Sequence, residues 1–211
     1  MYVPAHFAVG DIAWAHRLIE ANAFALLVSI SEDGAPFATH IPLLLDRGRG
    51  PKGTLLGHVA RANPQWRHFA PGKTALAIFH GPHAYVSPSW YKTSPQVPTW
   101  NYVAVHARGV PAIVTDEARI RAHQRHLVET FEGERPNRWR MEDVPDKYVA
   151  GMIKGIVAFE MPIDGLDAKA KLSQNRAAAD QEGAIAGLRS TGDAMDFDVA
   201  RLMEEAGAER R

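Results

Sequence analysis

The segment from residue 24 to residue 60 reads FALLVSISEDGAPFATHIPLLLDRGRGPKGTLLGHVA and decides the fold class. Its apolar runs Phe24–Ile30, Phe37–Leu45 and Thr54–Val59 have the length and composition of strands. The turn dipeptide Asp33-Gly34 separates the first two runs, and the Gly-rich segment Asp46–Gly53 separates the second and third. A parallel strand pair needs a crossover connection of about a dozen residues or more, for which this segment has no room. The segment therefore predicts consecutive antiparallel strands.

The rest of the chain adds short strands, with helices only as connections and as a tail. Further strands are predicted at Thr74–Phe79, Ala84–Val86, Tyr102–Val114 and Gly155–Met161. Helices are predicted at residues 11–22 with Asp11 as cap, from the Asn63-Pro64 start, from Thr115 to about Phe131, at Asp146–Met152, and from Asn175 onward with a break near Gly192 and with Ser173 or Asn175 as cap. This order predicts a mainly β protein with peripheral α-helices. We expect an antiparallel barrel over residues 1–165 and a helical C-terminal extension over residues 166–211, packed on the barrel or on a partner subunit.

The composition is that of an ordinary soluble protein. Of its 211 residues, 46% are hydrophobic and 23% are charged, and 24 basic residues balance 24 acidic ones. This balance gives no global field that favours nucleic acid or an anionic membrane. The absence of cysteine excludes disulfides and thiolate metal sites and fits a reducing compartment. The chain shows neither the pattern of a signal peptide nor a continuous apolar run of about 18 residues, so we expect a soluble, cytoplasmic protein without membrane association.

The first polar cluster is GHVARANPQW at residues 57–66, where a strand ends and a helix is expected to begin. Backbone N–H groups at a helix start, together with the guanidinium of Arg61, suit a phosphate group. The alternative is a surface arginine beside a histidine, His58, that is satisfied within the barrel. The residues alone leave both interpretations open.

The second cluster runs from His80 to Tyr102 and is rich in aromatic side chains and proline. Prolines stiffen a loop, and a stiff loop with Trp and Tyr suits stacking on a flat heterocycle. The alternative is that these aromatic side chains cover one end of the barrel, which is their more common role.

The third cluster is KAKLSQNR at residues 169–176. It combines cations, amides and a hydroxyl that suit phosphate or flavin carbonyl groups. The alternative is that it forms the solvated cap of the last helix.

Histidine spacing raises the question of a metal site. His80 and His83, and likewise His123 and His126, lie three residues apart. Neither pair is framed by carboxylates or forms a His-Glu-x-x-His motif, so no metal is predicted. The chain also lacks a Gly-x-Ser-x-Gly elbow, a phosphate-binding Gly-rich loop with Lys and a dinucleotide-binding fingerprint.

Six stretches, in order, carry a resemblance to a known family: YVPAHF (2–7), ATHIPLLL (38–45), GHVARANPQW (57–66), FHGPHAYVSPSWY (79–91), VPTWNYVAVHARG (97–109) and KLSQNR (171–176). On these motifs the chain resembles the PaiB-type family, described as FMN-binding negative transcriptional regulators. This family is similar to the FMN-binding split barrels, the fold of pyridoxamine-phosphate oxidase and of small flavin reductases. The resemblance implies an antiparallel FMN-binding split β-barrel with a C-terminal helical extension.

The resemblance also implies a two-fold homodimer that holds FMN noncovalently between its subunits. The phosphate would meet a basic residue near the strand–helix junction, and the other contacts would come from the neighbouring strand, the aromatic loop and the tail. The implied cofactor-binding residues are Thr39, His40, His58, Arg61, Asn63, Tyr91, Trp100, Asn101, Tyr102, Lys171, Gln174 and Asn175. No catalytic residue is identified.

Three functions remain open at this point. The first is a flavoprotein, either an FMN-dependent oxidoreductase such as a reductase or a flavin-dependent sensor. The second is a transcriptional regulator, as the family description says, and the third is a haem-binding split barrel. Direct reading of DNA is disfavoured, because there is no helix-turn-helix and no basic surplus. The most basic stretch, Arg119–Arg125, is flanked by Glu117 and Glu129 and is typical of a solvated helix face.

Overall fold

The computed structural model describes residues 1–208, which form nine strands and five α-helices joined by short 3₁₀ segments. The strands are β1 Phe24–Ile30, β2 Pro36–Pro42, β3 Leu44–Asp46, β4 Thr54–Ala60, β5 Ala75–Val86, β6 Thr99–Gly109, β7 Ala112–Ile113, β8 Ile156–Pro162 and β9 Gly165–Lys171. The helices are α1 Ile12–Ala21, α2 Glu117–Glu132, α3 Asp146–Lys154, α4 Ala178–Ser190 and α5 Ala194–Ala208. None of these helices has both the length and the apolar character that crossing a bilayer requires.

The strands form two sheets, and their order confirms the antiparallel fold class. The five-stranded sheet has the order β2-β1-β5-β6-β9, and the four-stranded sheet has the order β3-β4-β8-β7. The predicted hairpin pairs Phe24 with Pro42 and Ile30 with Pro36. In the other sheet β4 pairs antiparallel with β8 from Thr54–Pro162 to Ala60–Ile156.

The predicted strand Phe37–Leu45 is instead divided between the two sheets. β2 ends at Pro42, Leu43 is completely buried, and β3 pairs Leu44 with Leu56 in the four-stranded sheet. Pro42 has no N–H to donate to a neighbouring strand, which favours the end of a ladder at this point. The alternating sequence pattern continues across Pro42 and therefore did not reveal the change of sheet.

Other strand boundaries also differ from the prediction. The two predicted strands at 74–79 and 84–86 are one strand, β5, and the predicted strand Tyr102–Val114 is divided into β6 and β7. Gly109 ends β6 where a Cβ atom would lie 2.0 Å from Pro162 O, so only glycine fits this close approach. The prediction missed β9, whose Lys-rich sequence lacks the β-branched residues typical of strands.

The helix starts follow their capping residues with three corrections. Asp11 caps α1 as predicted, and its carboxylate accepts a hydrogen bond from Ala13 N. Asp116, not Thr115, caps α2. The helix after Asn63 is only a 3₁₀ segment, Pro64–His68, and α4 begins after Ala177, so neither Ser173 nor Asn175 caps it.

The chain divides into two compact units, each built from separate segments. The first unit contains Met1–Asn22, Phe79–His106 and the residues from Asp167 onward, with buried Phe79, Val103 and Leu188. The second unit contains Ala23–Ile78 and Ala107–Leu166, with buried Leu43, Leu55 and Phe159. The boundary near residue 165 between a barrel and a helical extension stays a prediction.

Candidate functional site

Five predicted site residues belong to the second unit, and two of them are hydrogen-bonded to each other. Asn63 donates from Nδ2 to Thr39 Oγ1 at 3.0 Å, and its Oδ1 accepts from Gln65 N at 2.9 Å. Asn63 thus caps the Pro64–His68 segment, as predicted, and also links it to β2. The helix predicted to begin at Asn63 is a 3₁₀ segment of only five residues, and a phosphate contact at its start stays a prediction.

Gln65 anchors the same segment and was missed in the sequence. It is completely buried, and its Nε2 donates to Leu27 O at 2.9 Å, to Ser29 Oγ at 3.1 Å and to Phe37 O at 3.3 Å. Its Oε1 is buried without a hydrogen-bond partner among residues 1–208. The sequence signal that could have identified Gln65 is an amide side chain between Pro64 and Trp66, just after the capping Asn63.

Arg61 is exposed, and its guanidinium is already engaged with backbone. Its Nε donates to Lys154 O at 2.7 Å and one Nη donates to Ile156 O at 2.8 Å. Lys154 is the last residue of α3, where helix carbonyls lack partners within the helix, and Ile156 is the first residue of β8. Arg61 therefore ties the end of α3 to the strand–turn junction, and only its remaining Nη is left for a phosphate.

The two predicted histidines of this unit differ in environment. His58 is half-buried, and its Nδ1 lies 3.2 Å from Gln124 Nε2. Burial lowers the pKa of His58, so its imidazole is neutral at neutral pH and offers hydrogen bonds instead of charge. His40 is exposed on β2, where its ring is stacked 6.1 Å from that of Phe24.

In the first unit, aromatic side chains form an exposed row. Trp100 is 52% exposed, and its ring centroid lies 6.0 Å from that of Tyr85 and 6.3 Å from that of His83. His83 is in turn stacked on His80, with centroids 4.4 Å apart. Contiguous exposed apolar patches, unlike single exposed side chains, often mark binding surfaces. Stacking of this row on a flat heterocycle stays a prediction.

Tyr91, another predicted site residue, has an unused polar group. Its side chain is buried, yet its hydroxyl has no hydrogen-bond partner in the described part of the chain. The Arg176 guanidinium lies 5.2 Å from the Tyr91 ring centroid and donates to Gln96. A buried phenol without a hydrogen-bond partner is costly.

Asn101 lies inside the first unit and acts as an internal bracket. It is completely buried, donates from Nδ2 to Ser173 Oγ at 2.9 Å, and accepts from the same hydroxyl at 3.2 Å. Ser173 adopts a positive φ of 62°, a strained backbone conformation for a residue with a Cβ atom. Asn101 thus holds the turn that follows β9.

The remaining predicted residues of this unit also surround the end of β9. Lys171 donates from Nζ to Trp100 O at 2.5 Å and to Thr99 Oγ1. Burial lowers the pKa of Lys171, with smaller contributions from Lys169 and Arg176. Gln174 folds back onto the same strand, accepting from Leu172 N at 2.7 Å and donating to Ala170 O at 2.5 Å, while Tyr102 is half-buried and Asn175 is exposed.

A charged cluster in the second unit was not predicted. The buried Glu160 accepts at Oε2 from Arg49 at 2.5 Å and from Arg119 at 2.6 Å. His123 Nε2 lies 2.9 Å from the other oxygen, Oε1. The hydrogen bond from Arg49 is the main cause that lowers the pKa of Glu160 to about 2, against the opposing effect of burial. The cluster joins β8, α2 and the loop before β4, which sequence spacing does not indicate.

The basic stretch of α2 is neutralised within the second unit. Arg119 pairs with Glu160, Arg121 with Glu117 at 3.0 Å, and Arg125 with Glu142 at 3.2 Å. Such paired arginines do not form the cationic stripe that phosphate backbones require. This geometry agrees with the interpretation of a solvated helix face. Metal ligands are also lacking, because residues 1–208 contain no group of three or more suitable side chains.

Comparison with known proteins identifies relatives over nearly the whole chain. Residues 1–165 match the family described as "Putative FMN-binding domain". The chain is 35% identical over 205 residues, 97% of each protein, to "Protease synthase and sporulation protein PAI 2" of Bacillus subtilis. It is also 30% identical to an uncharacterized protein of Aspergillus fumigatus, in an alignment of 255 residues that covers 98% of each protein.

Solved structures share the fold at low sequence identity. The flavocytochrome Anf3 from Azotobacter vinelandii aligns with a TM-score of 0.60 and 18% identity, over 80% of this chain and 72% of that one. The FAD and heme binding protein from Mycobacterium smegmatis aligns with a TM-score of 0.59 and 19% identity, over 83% and 78%. At these identities the likeness concerns the fold alone.

The two antiparallel sheets and these likenesses define the fold class, a split β-barrel with helices at its C-terminal end. Within this class the chain belongs to the FMN-binding family, and it is of the PaiB type. The family prediction made from the six motifs is confirmed, and with it FMN as the cofactor of the family.

Proposed function

We propose that this protein holds FMN noncovalently and uses it as the redox centre of a flavin-dependent sensor or reductase. The family match over residues 1–165 supports the cofactor. The observation that carries the proposal is the exposed aromatic row around Trp100, which offers a stacking face for a flat heterocycle. Stacking of this kind suits the isoalloxazine ring, which is flat and aromatic.

The residues present fit the chemical groups of FMN. Tyr91 would donate its free O–H to a ring or ribityl oxygen, and Lys171 would supply positive charge. His58 would contribute a neutral imidazole, and Thr39 a hydroxyl held by Asn63. The cofactor-binding residues that the resemblance implies are Thr39, His40, His58, Arg61 and Asn63 in the second unit and Tyr91, Trp100, Asn101, Tyr102, Lys171, Gln174 and Asn175 in the first.

FMN, when bound, supplies one- or two-electron transfer, and the protein supplies binding and orientation. In this chain the half-buried Asn63–Thr39 hydrogen bond and the buried Asn101–Ser173 hydrogen bond keep the adjoining backbone in place. No side chain among these is assigned as an acid, base or nucleophile. Whether the protein is a reductase or a sensor therefore depends on which molecule exchanges electrons with the flavin.

An absorption spectrum of the purified protein reconstituted with FMN tests the proposal. We expect flavin bands that survive gel filtration, bleach under anaerobic NADH or NADPH and return in air if the protein is a reductase. Bands that bleach only with dithionite would favour a sensor. Trp100→Ala should weaken flavin binding, whereas Trp139→Ala, which changes an exposed Trp of the second unit, should not. Failure to retain FMN would contradict the proposal.

A second candidate function is haem binding, favoured by the stacked pair His80 and His83. Burial and the neighbouring His83 lower the pKa of His80, which keeps its imidazole neutral and able to bind iron. The same purification tests it, because haem gives a Soret band that flavin lacks. A Soret band lost in both His80→Ala and His83→Ala would support haem, and a spectrum of flavin alone would remove this candidate.

We also propose that the protein is cytoplasmic and that any effect on transcription is indirect. The paired arginines of α2 and the balanced charge support weak DNA binding, with a non-specific Kd of about 10⁻⁴ M or weaker at physiological salt. An anisotropy titration on its own upstream DNA, with oxidised and reduced FMN, tests this. Saturable, sequence-selective binding below about 10⁻⁷ M would restore a direct repressor.

A further inference from the structure

Two lysines on β9 carry positive charge into the first unit without a carboxylate partner. Lys169 is only 7% exposed and Lys171 is half-buried. They are two residues apart in a strand, so both side chains project from the same face. Among residues 1–208, neither ammonium group is paired with Asp or Glu. Buried cations are normally paired, so this arrangement calls for an explanation.

The groups that contact the two lysines are all neutral. Lys169 donates to Tyr2 O at 3.2 Å, and its Nζ lies 5.1 Å from the Tyr102 ring centroid and 5.8 Å from that of Tyr2. Lys171 donates to Trp100 O and to Thr99 Oγ1. Carbonyl oxygens and ring faces stabilise a cation, but they do not cancel its charge.

The surrounding charges make this face more positive. Arg176 and Lys169 both act on Lys171 and, together with its burial, lower the pKa of Lys171. Asp167 shares this face of β9 with the two lysines, and its carboxylate accepts a hydrogen bond from the Met1 ammonium group at 3.0 Å. A negatively charged group that entered this face would therefore meet two ammonium groups that form no ion pair with a carboxylate of residues 1–208.

We propose that Lys169 and Lys171 bind the oxyanion, a phosphate or a carboxylate, of an aromatic ligand whose ring stacks on Trp100. Trp100 and Tyr102 are two residues apart on β6 and share a face, so the aromatic row adjoins the lysines. Charge-assisted hydrogen bonds from ammonium to phosphate or carboxylate are the strong class of hydrogen bond. The oxyanion has two sources, the phosphate of FMN or the acidic group of a second aromatic molecule. The first source rests on the proposed function.

Phenyl phosphate and benzoate are the probes, and phenol is the uncharged control. Calorimetric titration of flavin-free protein should show binding of both anions and weaker binding of phenol. Lys169→Met and Lys171→Met should each weaken phenyl phosphate by about tenfold or more, which is the loss of one charge-assisted contact. Lys171→Arg keeps the charge and should retain binding, and Lys147→Met, an exposed lysine of α3, should match wild type. Equal affinities in wild type and both methionine variants would overturn the proposal.

Titration with FMN and with riboflavin separates the two sources. If the lysines hold the FMN phosphate, Lys171→Met weakens FMN by about tenfold and leaves riboflavin unchanged. If they hold a second anion, both flavins bind the variant as they bind wild type, and phenyl phosphate binds the FMN-loaded wild-type protein. A wild-type protein that binds phenyl phosphate but no flavin would contradict the proposed function and support the oxyanion site.

Discussion

Asp180 and Thr93 are joined by two hydrogen bonds, from Thr93 N to Oδ1 at 3.0 Å and from Thr93 Oγ1 to Oδ2 at 2.6 Å. Lys92 N adds a third at 2.7 Å. Asp180 is buried in the first turn of α4, so this carboxylate fastens the segment after Tyr91 to the helix start. The hydrogen bond from the Thr93 side chain is the main cause that lowers the pKa of Asp180.

Asp180→Asn should loosen the segment after Tyr91, because an amide offers one acceptor oxygen where the carboxylate offers two. We expect a lower Tm, faster proteolysis between residues 92 and 97, and weaker FMN binding through Tyr91. Limited proteolysis with mass spectrometry measures the effect. Asp196→Asn, a half-buried acid in the first turn of α5, is the matched control. Unchanged cleavage in Asp180→Asn would show that the carboxylate does not hold the segment.

Gly187→Ala should destabilise the first unit. A Cβ at this position would lie 2.2 Å from Cδ2 of Trp90, so the indole or α4 must move. Overpacking of this kind costs about 1–3 kcal/mol in free energy of unfolding. Gly151→Ala in α3, where a Cβ meets open space, should instead add about 0.5–1 kcal/mol. Urea unfolding compares the two, and equal changes would rule out a packing role for the Trp90–Gly187 contact.

Glu160→Gln should reduce the free energy of unfolding at neutral pH and make that free energy less dependent on pH. The folded-state pKa of Glu160 is about 2, against 4.5 as its ordinary value. The unfolded chain therefore binds the proton first, so the stabilisation is complete above about pH 4.5 and is lost as the pH falls toward 2. Because Arg49 and Arg119 are about half exposed, the loss of the carboxylate should cost only about 1–2 kcal/mol in free energy of unfolding. Chemical unfolding at neutral and acidic pH measures the difference between wild type and variant.

Glu129→Gln, an exposed acid of the same helix as Arg119, serves as the control for Glu160→Gln. We expect it to follow the wild-type stability curve at every pH. A Glu160→Gln variant with wild-type stability at neutral pH would contradict the prediction and show that the cluster contributes no net stabilisation.

Arg61→Ala tests the phosphate contact implied by the resemblance. Loss of a charge-assisted contact should weaken FMN by about 2–3 kcal/mol. The structure adds a second expectation, because Arg61 also holds the Lys154 and Ile156 carbonyl groups and its loss should lower the Tm. Fluorescence quenching measures the affinity for FMN. An unchanged Kd with a lower Tm would assign Arg61 to the α3 junction alone.

A homodimer is expected from the resemblance, because a cofactor held between subunits needs two chains. Obligate homodimers bury roughly 2,000 Å² or more in total. Sedimentation equilibrium at micromolar concentration should give the mass of two 23.2 kDa chains. The mass of one chain would contradict the dimer and place any flavin within a single chain.

Local chemistry made several features predictable from sequence. β1 has the predicted bounds, Phe24–Ile30, because a continuous apolar run ends at a polar turn. Asp11 and Asn63 cap the segments that follow them, because a short side chain reaches its own nearby N–H groups. In these cases the physical cause lies within a few neighbouring residues. The six motifs likewise identified the family, because each motif is a run of consecutive residues.

The sequence by itself determined the antiparallel class, the absence of thiol chemistry and the family, because turn chemistry, composition and motifs are local properties of the chain. Only the tertiary structure decided that Asn101 and Gln65 form internal hydrogen bonds between distant segments. It also decided that Arg61 donates to the last carbonyl of α3 and that Glu160 accepts from its arginine partners. It alone showed that, within residues 1–208, Lys169 and Lys171 contact neutral groups and form no ion pair with Asp or Glu. The physical reason is that burial, ion pairing and desolvation depend on contacts between residues that are distant in sequence. The spacing of residues along the chain does not reveal these contacts, so it does not reveal their free energies.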